Sequence, residues 1–199
     1  LALALLALYA TLALGVRAVV QLQRTGSTGV IGISGRAGSI EWVSGVLFEL
    51  AIGIVVAGAI LDLSDVLDPI SALDGGLVQA VGIVLAVVGL VATLGAQFAM
   101  GDSWRVGVDP AERTELVTDG PFSLVRNPIY AGVIPFFAGI VLLVPNAVAI
   151  GGFGLLVLGL ELQTRLVEEP YLRQVHGPAY ADYAARVGRF VPGVGRLGR

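Results

Sequence analysis

Cysteine and lysine are absent from the 199 residues, and histidine and methionine occur once each. Without cysteine there is no disulfide, no thiolate nucleophile and no cysteine-held metal. Without lysine a Walker-type phosphate loop and a Schiff-base amine are excluded, and the 12 basic residues are all arginine. A single histidine, His176, cannot build a histidine-rich centre, so no metal site is expected. It has no serine or carboxylate partner at a recognisable spacing and reads as a surface or capping residue. Charge is scarce as well: charged residues make up 14% of the chain, the net charge is −3, and there is no basic tract or interleaved aromatic platform. Nucleic acid is not an expected partner.

What fills the sequence instead is apolar. Hydrophobic residues make up 56% and the mean hydropathy is +0.87, too high for a soluble domain of this size. The composition points to an integral, multi-pass membrane protein. A bilayer core about 30 Å thick needs roughly 20 helical residues. Five runs approach that length, at about 1–20, 43–61, 77–100, 129–144 and 147–166. The fourth is short and carries Pro135, where a kink or tilt is expected. The first lacks a small-residue cleavage site before Gln21 and reads as a span rather than a retained signal sequence. Because the chain starts at Leu1 without a methionine, further residues ahead of it are expected.

Basic residues alternate between the loops. Arg17, Arg24 and Arg36 flank the first loop, and Arg105, Arg113 and Arg126 lie in the third. The tail carries Arg165, Arg173, Arg186, Arg189, Arg196 and Arg199, whereas the second loop holds Asp62, Asp65, Asp68 and Asp74 and no basic residue. By the positive-inside rule the amino terminus lies outside, and the third loop and carboxyl tail face the cytoplasm together. The minimal Pro145-Asn146 turn makes the last two runs a helical hairpin with both open ends on that side. The expected fold is all-α and polytopic: about five transmembrane helices, a C-terminal hairpin and a short helical tail. Residues 1–105 carry the first three spans and 106–199 the catalytic part, within one folded unit.

Small residues recur four apart at Gly53/Ala57, Gly82/Ala86 and Ala147/Gly151, a spacing that permits close helix approach in lipid. Gly151-Gly152-Phe153-Gly154 is not a dinucleotide fingerprint, since Val157 takes the last glycine position and the segment is a span. Glu49, inside the second run, should face other helices, a cavity or a partner, or be protonated, with Gln97 one group able to satisfy it. Trp42 and Trp104 read as interfacial anchors. Glu161, Arg165 and Glu168 share a helical face and form either an ion-pair ladder or, with Glu169, the acidic wall of a cavity. Pro170 ends the fifth run, and Tyr180 and Tyr183 follow on a short helix.

One polar, turn-rich island stands between the apolar runs, at 116–130. Gly120-Pro121 and Asn127-Pro128 fix its path and present Arg126 just before a hydrophobic helix. On local chemistry it is either a ligand cradle at the membrane surface or an ordinary connector with a proline-bearing helix start.

Leu-Val-Thr-Asp-Gly-Pro-Phe from Leu116, Arg-Asn-Pro-Ile-Tyr from Arg126, Arg-Leu-Val-Glu-Glu-Pro-Tyr-Leu from Arg165 and Gly-Pro-Ala-Tyr-Ala-Asp-Tyr from Gly177 together resemble the isoprenylcysteine carboxyl methyltransferase and phospholipid methyltransferase superfamily. The resemblance covers about 116–192, and the first three spans match only as generic membrane helices. It implies S-adenosylmethionine as methyl donor, with S-adenosylhomocysteine as product, bound at the cytoplasmic ends of the last two spans beneath the tail. The chemistry of that cofactor suits the residues present. An Arg fork fits its carboxylate, a carboxylate its ribose diol, negative or π-rich groups its sulfonium, and backbone its adenine. Arg126, Glu168 and Glu169 are the catalytic candidates. Val117, Thr118, Gly120, Pro121, Asn127, Tyr130, Tyr180 and Tyr183 join them as cofactor-binding candidates. Many members of the superfamily have histidine where this chain has Asn127, which retains hydrogen bonding but cannot become cationic.

The expected activity is methyl transfer to a lipid-like or isoprenoid-like amphipathic acceptor among membrane lipids, with a carboxylate acceptor favoured over an amine. Two rivals stay open. One is a small transporter or channel-like protein with Glu49, Gln97 and Glu161 along a polar path; the other is a catalytically inactive relative that keeps the ligand pocket.

Overall fold

The computed structural model describes residues 1–30, 32–104 and 116–198, so Arg105, Arg113 and Arg199 of the charge count and the 105/106 division lie outside the described residues. Among the described residues the only regular elements are helices. Helix α1 spans Ala2–Thr25 and stops at Gly26, whose φ of 79° leaves the helical region. Helix α2, Ile40–Leu63, starts at Ser39, whose hydroxyl accepts from Trp42 N at 3.3 Å. Helix α3 covers Gly76–Ala99. After a one-turn 3₁₀ segment at Gly120–Ser123, helix α4 runs Pro128–Leu143, its first residue a proline that needs no acceptor there. Helix α5, Ala147–Leu162, passes through a wide π-helical turn at Gln163–Glu168 into α6, Glu169–Arg186.

Among the described residues four continuous helices are long and apolar enough to cross a membrane, starting at Ala2, Ile40, Gly76 and Ala147. The fourth sequence run is the exception. Helix α4 has 16 residues, about 24 Å at 1.5 Å per residue, because Asn127 and Val144 both leave helical dihedrals. It is buried by its neighbours all the same, and Phe136 and Ile140 are fully enclosed.

The hairpin of α4 and α5 is joined as the sequence indicates, yet each arm packs mainly on another helix. Helix α3 lies tightly along α4 and α2 along α5. The close approach of α3 and α4 depends on missing side chains: a Cβ on Gly89 would stand 2.4 Å from Phe136 N, and one on Gly139 2.4 Å from Gly82 O. Asn146 fastens the second pair, accepting from Ala149 N at 2.9 Å and donating to Gly58 O at 3.0 Å. Of the three small-residue pairs only Gly82/Ala86 lies in such a contact. Gly53, Ala57, Ala147 and Gly151 are exposed, while Gly58 and Gly152, one helical face away, are buried.

One hydrophobic core draws on α1 to α5, from Ala2 and Ala51 through Ala86 to Phe136 and Leu156. Two sequence expectations change here. Trp104 is not an interfacial anchor: it is 1% exposed, with the buried Arg17 guanidinium 4.6 Å above its ring. Gln97 does not satisfy Glu49; it donates to Ala13 O at 2.9 Å, inside a π-helical stretch of α1, and Glu49 stands on the outward face of α2.

Candidate functional site between the 116–127 segment and the tail

Pro170 does not end the fifth run. The π-helical turn lies just before it, and a proline in the first turn of α6 lacks only an N–H that the widened turn leaves without a regular partner. An extra residue per turn also changes which side chains face inward. Thr164, Val167 and Glu169 are all buried, and Glu168 is half-buried. The ladder of Glu161, Arg165 and Glu168 therefore splits. Glu161 pairs with Arg165 on the outside, and Glu168 turns inward to Tyr130.

Helix α6 then breaks at Gly177, whose φ of 51° and ψ of −125° redirect the chain before Pro178. The following turns place Tyr180 and Tyr183 in a small second core, with their ring centroids 6.2 Å apart. The Tyr183 hydroxyl donates to Phe122 O at 2.6 Å. Beyond Arg186 the chain runs beside the 125–127 segment. Arg126 N donates to Gly188 O at 2.8 Å and Asn127 N to Arg189 O at 3.0 Å, forming a short parallel bridge. Gly188 must be glycine at this point, because a Cβ would meet Val191 O at 2.2 Å.

The ends of these segments meet on one carboxylate. Glu169 accepts from Arg126 Nη2 at 2.7 Å and from Arg189 Nε at 2.8 Å on one oxygen, and from Arg189 Nη2 at 3.1 Å on the other. The Arg126 side chain is 1% exposed, and its two Nη groups also reach the carbonyls of Ala184, Val187 and Gly195. Its Nε is buried and unpartnered among the described residues. Arg126 therefore ties the 116–127 segment to the tail. Hydrogen bonding to Glu169 holds the Arg189 guanidinium above the usual arginine pKa, against the opposing effect of burial.

Glu168 beside it is held differently. Its Oε1 accepts from the Tyr130 hydroxyl at 2.6 Å, and the amide of Gln163 is its other polar neighbour. Both partners are neutral, and no arginine reaches this carboxylate among the described residues. The Tyr130 ring packs edge-on against Phe190 at 6.3 Å, so the tail closes over this corner as well.

The sequence candidates thus fall into groups. Arg126, Glu169, Tyr180 and Tyr183 are interior ties of the tail, and Tyr130 and Glu168 form a hydrogen-bonded pair. Asn127 is half-buried and engages through its backbone, its carbonyl accepting from Ala131 N at 2.9 Å. Val117 and Thr118 are half-buried outside any helix, and Gly120, with φ 56°, starts the 3₁₀ turn with Pro121. Sequence reasoning counted Arg189 only as tail charge and did not single out Gln163. Neither has a local signal; only the need of a buried Glu169 for a second cation could have pointed to Arg189.

An all-helical membrane protein with its polar side chains gathered where two helix ends and a folded-back tail meet defines the class. The chain belongs to the phospholipid methyltransferase family, whose model matches residues 77–179. It is similar to protein-S-isoprenylcysteine O-methyltransferase B of Arabidopsis thaliana, 32% identical over 81 residues, which are 41% of each chain. The A form from the same plant is 29% identical over 113 residues, 56% of this chain and 57% of that one. Protein-S-isoprenylcysteine O-methyltransferase of Dictyostelium discoideum is 29% identical over 116 residues, 57% of this chain and 49% of its own. The chain spans about half the length of the curated relatives it matches. No solved structure matches it.

Proposed function

We propose that this protein is an S-adenosylmethionine-dependent membrane methyltransferase acting on a lipid-like amphipathic acceptor, a carboxylate in preference to an amine. The observation that carries the reading is the contrast between two adjacent carboxylates. Glu169 is neutralised by two arginines, whereas Glu168 is bound only by a neutral group and has no cationic partner among the described residues. Ionising a half-buried carboxylate of that kind is costly unless something cationic or hydrogen-bond-donating completes it.

Bound S-adenosylmethionine supplies a sulfonium-borne methyl group and, on its ribose, a pair of hydroxyl donors. Glu168 is suited to either feature, with the Tyr130 hydroxyl fixing the carboxylate's orientation. The 117–121 backbone and the Asn127 side chain remain as hydrogen-bonding groups for the rest of the molecule. Arg126 enters as a positioning residue: with Glu169 and Arg189 it closes the tail over the corner, which excludes water from the reacting groups. A carboxylate acceptor needs no base from the chain, whereas an amine would need Glu168 to take its proton.

The orientation belongs to the same reading, with the site and tail cytoplasmic and the amino terminus outside. Arg17, Arg24 and Arg126 stand at the site end of the helices. The opposite end has an open cavity of about 250 Å³ lined by Asp62, Asp65, Asp68 and Asp74. The transporter alternative finds no support in the placement of its residues: Glu49 faces outward, Gln97 is bound to Ala13 and Glu161 to Arg165. The test is turnover: protein in lipid nanodiscs, given S-adenosylmethionine and a panel of isoprenylated carboxylates, lipid amines and phospholipids, with products read by mass spectrometry. One added methyl on a member of the panel supports the proposal, and no product from any member, with the protein folded, refutes it.

A further inference from the structure

Helix α2 lies outside the region matched by the family model, yet one of its side chains reaches the site. Ser44 is fully buried, and its hydroxyl proton has Gln163 Oε1 at 2.6 Å, across the contact between α2 and the wide turn, as its shortest acceptor, with Ile40 O at 2.8 Å and Glu41 O at 3.1 Å on its own helix. Gln163 opens the π-helical turn that ends at Glu168, and its amide is a polar neighbour of that carboxylate. An amide whose oxygen accepts from serine has its N–H groups left to give, and a carboxylate is the acceptor that suits them.

The turn itself needs holding. Thr164, the next residue, is 0% exposed and its hydroxyl has no partner among the described residues, although a threonine in an ordinary α-helix can bond the carbonyl four residues back. A widened turn with an orphaned buried hydroxyl persists only when contacts around it fix its shape. The Ser44–Gln163 bond at its first residue and the Tyr130–Glu168 bond at its last do so from two different helices.

We propose that Ser44 and Gln163 are positioning residues that hold the wide turn and aim Glu168 at its ligand; the inference rests on the proposed role of Glu168 in cofactor binding. The charged and titratable groups facing Glu168 are Tyr130 from α4 and Glu169 and Tyr180 from α6, with Arg126 and Arg189 committed to Glu169. In this arrangement Gln163 donates to Glu168, and no neighbouring cation replaces that donor when it is lost. A carboxylate deprived of a donor keeps its proton to higher pH.

The experiment compares wild type, Gln163→Met, Ser44→Ala and Ser44→Thr in nanodiscs, reading S-adenosylhomocysteine affinity by calorimetry, the melting temperature, and turnover against pH. Gln163→Met is expected to weaken binding about tenfold, the equivalent of one hydrogen bond to a charged group, and to move the acid limb of the pH profile upward. Ser44→Ala should act in the same direction by less, and Ser44→Thr should restore binding. Should Gln163→Met fail to fold, Ser44→Ala carries the comparison. Unchanged affinity and pH profile in the folded variants, with or without a lower melting temperature, would overturn the inference and leave the function standing. A wild type that binds no S-adenosylhomocysteine would overturn both.

Discussion

Glu169 and Glu168 are sequence neighbours with opposite circumstances, and the difference comes from what each can reach. Removing Glu169 leaves two guanidinium groups, Arg126 and Arg189, without their shared acceptor, in a place where the Arg126 side chain is 1% exposed. Glu169→Ala is therefore predicted to cost about 3–5 kcal/mol, the range for breaking a buried ion pair from one side. Denaturant titration in detergent would measure it, and limited proteolysis should find the chain beyond Val187 newly cleavable. Thr164 makes the opposite prediction. Its buried hydroxyl has no partner among the described residues, so Thr164→Val should be neutral or stabilising by about 1 kcal/mol. A loss of more than that in the same titration would show that the hydroxyl is bonded after all.

At the scale of elements, the helices join through positions that carry no side chain. Gly89→Val would place atoms where Phe136 N already stands, and the α3–α4 contact should lose about 1–3 kcal/mol or more as the helices separate. Gly53→Val, with nothing within 4 Å of its Cβ, should change stability by less than about 0.5 kcal/mol. Thermal unfolding of the two variants in one detergent tests the pair, and equal losses would contradict this packing. The contrast also marks what was legible beforehand. Apolar run length and turn-forming prolines place the helices well, because span length and proline geometry are local properties. Which of two glycine-bearing faces meets a neighbour depends on helices far away in sequence, and the Gly53/Ala57 spacing is as regular as that of Gly82/Ala86. The π-helical turn was hidden for a related reason: Pro170 reads as a stop unless the chain before it is already widened. Arg126, Glu168, Glu169 and Tyr130 stood out by their motifs, but their division into tail ties and a carboxylate without a cation required Arg189 and the carbonyls of Ala184, Val187 and Gly195.

For the whole molecule, the absence of cysteine becomes an advantage. Single cysteines introduced by Ser64→Cys, beside the acidic end, and Ser123→Cys, at the site end, report orientation through a membrane-impermeant maleimide. Labelling of Ser64→Cys from outside intact cells, with Ser123→Cys protected until the cells are opened, is the predicted pattern. The reverse would place the site outside. Glu168 is the carboxylate that the proposed ligand completes, and calorimetry of S-adenosylhomocysteine binding to wild type and Glu168→Gln tests that role most directly. Glu168→Gln keeps the side-chain volume and removes the charge. The prediction is saturable binding by wild type and a loss of at least about tenfold in the variant, as for a hydrogen bond to a charged group. Equal affinity in the two folded proteins would contradict it.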